Sequence, residues 1–166
     1  MPKAMTFGAA RTGYLEVVRG SPAQQAFKSK VNTANASGVE EFNEGEWAIL
    51  DANLEANKYS SGSAETRVWP VVTGKERTDV YGGGSVTLLV GTGYHLRTSG
   101  YKTTGTYAYG TLLTVKSGLL EPAASGEQVH AMALGAAKTL KTDAEKALGK
   151  AGFTVIEVEV ISMGKA

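Results

Sequence analysis

The chain of 166 residues has no cysteine and only two histidines, His95 and His130. Without thiols there is no disulfide scaffold, no cysteine nucleophile and none of the usual zinc frameworks, although the compartment stays open. No charge of one sign dominates either: 17 Lys and Arg against 16 Asp and Glu leave a formal +1 spread along the chain. A nucleic-acid binder needs clustered cations to meet phosphates, so neither DNA nor RNA is an expected partner. No segment approaches the roughly 20 apolar residues of a membrane span, and no membrane contact is expected. Residues Met1 to Val18 mix polar, glycine and apolar positions without the apolar stretch of a signal peptide, so export is not expected. At 42% hydrophobic and 20% charged, the composition fits one folded, soluble domain with a short appendage.

Glycine is plentiful, 21 of 166 residues, and punctuates short apolar runs in the manner of β-strands joined by tight turns. The candidate strands are Glu46 to Asp51, Arg67 to Thr73, Ser85 to Val90, Thr111 to Val115, Glu127 to Leu134 and Phe153 to Ile161. In the last, Ile156, Val158 and Val160 alternate with Glu157 and Glu159, so one face meets a core and the other meets solvent. Pro70 has no N–H to give a ladder and is expected at an edge, a bulge or a strand start. Two short helices are expected. One runs from Thr142 to Gly149 behind a Thr-Asp-Ala-Glu capping box, and one starts at Ser21-Pro22, with Ala26 and Phe27 forming a small apolar face. The first 44 residues hold few large apolar side chains and read as an arm outside the core, or alternatively as an extra edge strand plus loop. The fold class is therefore mainly β: a small β-barrel or β-sandwich over residues 45–166, an extended N-terminal arm over 1–44, and one or two short helices.

Catalytic patterns are weak. Ser99, His95 and Asp79 make a triad only on paper, and Gly62-Ser63 and Gly84-Ser85 lack the second glycine of a nucleophile elbow. Glu40-Glu41 and Glu44-Gly45-Glu46 have no apolar surroundings to raise one carboxyl for acid catalysis. Gly82-Gly83-Gly84 and Gly91-Thr92-Gly93 lead into strand instead of the helix that a phosphate cradle requires, and so read as turns. Neither histidine has further ligands at metal spacing. No catalytic residue, cofactor or metal is expected. Trp47, Trp69 and five tyrosines could instead supply a carbohydrate platform or a protein-binding surface. Tyr101, Tyr107 and Tyr109 lie in a Gly/Thr-rich stretch, Ser99 to Thr111, that reads as a long loop with exposed rings suited to protein contact.

The order of elements from Thr78 to Leu134 resembles the head decoration, or cement, proteins of tailed phages. The likeness is carried by Ser85 to Val90, then Tyr94 to Thr98, Tyr107-Ala108-Tyr109-Gly110, Thr111 to Leu120, and Ala124 to Leu134. Phe42 to Asp51 is similar to the opening strand of such barrels, so the resemblance covers Phe42 to Leu134 plus the final strand. Gly135 to Gly152 is longer than the hairpin expected there. The resemblance implies a non-enzymatic virion protein that binds the outer surface of the assembled major capsid protein shell and stabilises it against internal DNA pressure. It further implies a homo-oligomer, trimeric by preference, made in the bacterial host and located on the capsid exterior. Tyr14 and Phe27 of the arm and Tyr101, Tyr107 and Tyr109 of the loop are the expected partner contacts. A carbohydrate-binding β-domain, or attachment at a tail or head fibre, is the alternative.

Overall fold

A computed structural model describes residues 13–20, 26–30, 42–58, 68–73, 85–140, 152–161, 163, 164 and 166. Among them the strands are, in chain order, β1 (Leu15–Arg19), β2 (Ala26–Lys30), β3 (Trp47–Leu50), β4 (Ala56–Lys58), β5 (Val68–Thr73) and β6 (Ser85–Leu89). They continue with β7 (His95–Thr98), β8 (Leu112–Lys116), β9 (Leu119–Pro122), β10 (Ala131–Ala133), β11 (Lys138–Thr139) and β12 (Thr154–Val160). One antiparallel sheet runs β1-β7-β12-β10-β8-β9, with β11 paired to β12, and the other runs β2-β6-β5-β3-β4. Both are open at their edges, so the architecture is the sandwich and not the closed barrel. No helix occurs among the described residues. The expected helix at 142–149 lies outside them, as do residues 21–25, while Ala26 and Phe27 are in strand β2.

The main core lies between the sheets. Trp47, Val68 and Leu89 of the second sheet pack with Leu96, Leu113, Val115, Leu120, Ala131, Ile156, Val158 and Val160 of the first. The alternation in β12 does what period two demands: Ile156, Val158 and Val160 are buried, and Glu157 and Glu159 stay half-exposed on the outer face. The second sheet carries a further core on its far side, where Ala48, Leu50, Val71, Val86 and Leu88 join Phe42 and Ala56. Its strands β3 and β5 are nearly continuous apolar runs because residues on both of their faces are buried.

Pro70 departs from expectation, since β5 is the middle strand of its sheet. The bonds Val71 N to Glu46 O and Gly45 N to Val71 O, both 2.8 Å, make Trp47 and Pro70 a non-hydrogen-bonded pair, so the proline nitrogen faces away from β3. On the other side the β5–β6 register begins only at Val71 and is bulged before Thr73. The missing donor falls where the ladder has already ended.

The segment read as an arm supplies an edge strand to each sheet in its described parts. β1 pairs with β7, bulging between Val17 and Arg19, and β2 pairs with β6. What ties β1 down is a crossing of three backbones. Tyr14 N donates to Ser99 Oγ (2.8 Å), Ser99 N to Tyr14 O (3.0 Å), and Thr98 Oγ1 to Gly45 O (2.7 Å). Glycine is required here, because a Cβ on Gly100 would lie 1.9 Å from Gly45 O and one on Gly13 would lie 2.1 Å from Glu44 O. A second tie joins the sheets. Ser117 (φ 50) and Gly118 (φ 81) form the two-residue turn of the β8–β9 hairpin, and Gly118 O accepts from Trp47 N at 2.8 Å.

Candidate interaction surface

The segment 99–111 is irregular, as its composition predicts, but two of its three tyrosines point inward. Tyr101 and Tyr107 are 4% and 7% exposed and meet edge to face, ring centroids 5.4 Å apart. The Tyr107 hydroxyl donates to Lys102 O (2.6 Å) and reaches Leu120 O (3.3 Å), and burial pushes its pKa up to about 12. Burial raises the Tyr101 phenol as well. These two rings close one end of the main core and hold the loop to β9 through Lys102 N to Leu120 O (2.8 Å) and Leu120 N to Gly100 O (2.9 Å). Their expected role as partner contacts is corrected accordingly: an aromatic ring removes most apolar area from water when it packs inward, and the Tyr107 hydroxyl is satisfied by a backbone carbonyl.

Tyr109 is the opposite case, 77% exposed. It stands at the second position of a turn in which Thr111 N donates to Ala108 O (3.1 Å) and Gly110, at φ 87, takes the third position. A positive φ there is what a type II turn requires, and glycine meets it without a Cβ penalty. Three more bonds fix the turn: Ala108 N to Thr111 Oγ1 (3.1 Å), Gly110 N to Ala133 O (2.8 Å) and Ala133 N to Thr111 O (2.8 Å).

The two arm residues also differ from expectation. Tyr14 is fully buried, packing with Leu140, Val155 and Phe153 (ring centroids 5.7 Å) while its hydroxyl donates to Glu16. It presents nothing to a partner. Phe27 occupies the β2 position opposite Leu88, and its side chain lies outside the described residues.

The outer face of the first sheet carries a charged ladder that sequence reasoning missed. Register sets Glu16, Arg97 and Glu157 side by side on β1, β7 and β12. Arg97 Nε is 2.8 Å from Glu157 and Nη1 is 4.0 Å from Glu16, and the bond to Glu157 raises the guanidinium pKa further. One step along, His95 Nε2 lies 3.9 Å from Glu159. Lys116 Nζ of β8 bridges Glu121 of β9 (2.9 Å) and Glu127 of the following loop (2.6 Å). The alternation of glutamates in β12 was visible; their cationic partners sit some sixty residues away in sequence and become neighbours only through strand pairing.

Other candidate chemistry is absorbed by structure. Ser99 is tied to the Tyr14 backbone and follows His95 by four positions along one strand direction, about 13 Å by strand rise. Asp79 lies outside the described residues. Glu46 accepts from Asn43 N and Nδ2 (3.0 and 3.1 Å), which makes it a turn brace. His130 is 5% exposed, its backbone bonded to Leu113 and Ile161. Trp47 is fully buried and cannot stack on a sugar, and Trp69 is half-buried against the second core. Among the described residues no group of three or more metal-ligating side chains converges, and no helix is long and apolar enough to cross a membrane. No known protein family, no curated protein and no solved structure matches the chain.

Proposed function

We propose that this protein is a non-enzymatic virion component, a capsid decoration protein that adheres to the outer surface of an assembled major capsid protein shell. The observation that carries the reading is the locked turn at Tyr109, a large aromatic held in solvent by four hydrogen bonds. An exposed ring carried on a turn whose backbone is already fixed is suited to a protein contact. The resemblance of its sequence to phage decoration proteins points to the same reading. A ligand that binds the assembled shell and not its dissociated subunits stabilises the shell by mass action, and no catalytic group is needed.

The test is addition of the purified chain to phage heads assembled without it. Saturable binding at a fixed number of copies per head, with a raised disruption temperature, is the expected result. Absence of stoichiometric binding overturns the proposal.

A further inference from the structure

The edges of the two sheets are not equally guarded. β9 is covered along its outer side by residues 100–102, through Leu120 N to Gly100 O (2.9 Å) and Lys102 N to Leu120 O (2.8 Å), and it ends in Pro122. β4 has 3 residues, and β2 carries Lys28 and Lys30; shortness and lysine are two common guards of a strand edge. β1 differs, since among the described residues it pairs with β7 alone.

Strand parity shows which of its groups look outward. Val160 N donates to Tyr94 O (3.0 Å) and Ser99 N to Tyr14 O (3.0 Å), so even-numbered residues of β7 bond to β12 and odd-numbered ones to β1. Glu16 therefore exchanges bonds with Arg97. The N–H and C=O of Leu15 and Val17, opposite Thr98 and Leu96, are directed away from β7. Both side chains pack against the main core, yet they are half-exposed, whereas Leu96 and Thr98 on the next strand are fully buried. The inner layer ends one strand short of cover. The bulge after Val17 confines the usable edge to Leu15–Val17.

Charge marks the outer side of the same edge. Glu16, Glu157 and Glu159 gather there around Arg97, which lies 2.8 Å from Glu157 and 4.0 Å from Glu16, and around His95, 3.9 Å from Glu159. Even with the imidazole protonated, the carboxylates stay in excess.

We infer that β1 is a docking edge whose occupant is an extended segment of a different protein, with a Lys or Arg opposite Glu16 between apolar residues opposite Leu15 and Val17. Main-chain bonds to Leu15 and Val17 hold the segment, its apolar side chains continue the inner layer, and its cation meets the acidic outer side. A second copy of β1 does not fit. Two-fold pairing through the outward groups sets Leu15 against Val17 of the copy and Glu16 against its own counterpart, a like-charge pair on a face already acidic. Pairing centred on Val17 runs into the bulge. The inference rests on the decoration reading, in which the segment belongs to the capsid protein, and adds this contact to that of Tyr109.

The experiment titrates full-length chain onto heads assembled without it and follows backbone amide exchange in the free and the bound chain. Exchange over Leu15–Val17 is expected to slow about 10-fold or more on heads. Val17→Pro removes a donor that β7 does not use and is expected to weaken binding about 10-fold. Glu16→Lys is expected to weaken it about 5-fold at ~50 mM salt, a difference that shrinks at ~500 mM. Thermal unfolding shows whether each variant folds; should Val17→Pro fail to, exchange in the parent decides. If heads bind the parent without slowing exchange over Leu15–Val17, or bind folded Val17→Pro equally well, the inference is wrong while the decoration reading stands. Glu16→Lys binding as tightly as the parent overturns the cationic occupant. Slowed exchange that appears without heads, as the chain is concentrated, gives the edge to a second copy and also overturns it. A parent chain that does not bind heads removes the reading and the inference together.

Discussion

The two sheets solve the same burial problem in different ways. The middle of the second sheet is mostly apolar on both faces: β3, β5 and β6 read Trp-Ala-Ile-Leu, Val-Trp-Pro-Val-Val-Thr and Ser-Val-Thr-Leu-Leu, and their buried apolar side chains divide between the main core and the one beyond. The first sheet keeps an apolar inner face and an outer face of half-exposed ion pairs. The lesson is that a continuous apolar run and an alternating one report how many faces are covered, and so which sheet can look outward. Here the sheet with the alternating strand also holds the turn that carries Tyr109, through Gly110 N to Ala133 O.

The largest perturbation strikes the joint on which both sheets depend. Gly100→Ala places a methyl 1.9 Å from Gly45 O and 2.8 Å from Glu46 N, backbone atoms that cannot swing aside. A loss of about 4 kcal/mol or more is expected, visible as failure to fold or as a collapsed denaturation midpoint. A near-neutral result would mean that the sheets are not coupled there.

The sharpest contrast comes from paired truncations. Leu88→Ala, in the second core, is expected to cost about 3 kcal/mol in chemical denaturation, within the range for a buried leucine. Met132→Ala, half-exposed on the outer face of the first sheet, should cost about 1 kcal/mol or less. Equal losses would break the comparison between the sheets.

Smaller effects map the outer face. Glu157→Gln removes the carboxylate 2.8 Å from Arg97 and should cost about 0.5 kcal/mol, shrinking as salt is added. The acid limb of stability belongs partly to Glu127. Burial raises its pKa, but the hydrogen bonds from Lys116 and from Ala124 N outweigh that and hold the carboxyl below its ordinary value. A carboxyl depressed in the folded state stabilises above its unfolded pKa, and that contribution disappears as pH falls through the lowered folded value. Thermal melts of Glu127→Gln should therefore lie slightly below the parent near neutrality and converge with it in acid. At the other extreme Tyr107, pushed up to about 12, holds its proton more tightly folded than unfolded, so stability declines as pH rises past the ordinary tyrosine value near 10. Tyr107→Phe should flatten that alkaline decline.

Much of the β framework was legible because hydrophobic period is a local signal. Glu46 to Asp51, Arg67 to Thr73, Ser85 to Val90, Thr111 to Val115 and Phe153 to Ile161 all contain strands. Of Glu127 to Leu134 only Ala131–Ala133 is strand, since its first residues are taken up by a turn and by backbone bonds to 164 and 166. β1 was legible only as the alternative of an extra edge strand, because five residues with a bulge show no clean alternation and its anchor, Ser99, is 85 positions from Tyr14. The loop tyrosines were indistinguishable for a related reason. Tyr107 and Tyr109 share the same glycine- and threonine-rich surroundings, and no periodicity separates a ring that seals the core from one that faces water.

By itself the sequence determined the β class, the turn positions marked by glycine, and the inward set of β12, because each follows from steric and hydrophobic preferences within a few residues. Only the tertiary structure decided that the sheets form an open sandwich, that Tyr14, Tyr101 and Tyr107 are interior while Tyr109 is not, and that Arg97 stands between two glutamates. Those outcomes depend on which distant strands meet and in what register, a choice made by the joint burial of many side chains and carried by no single segment.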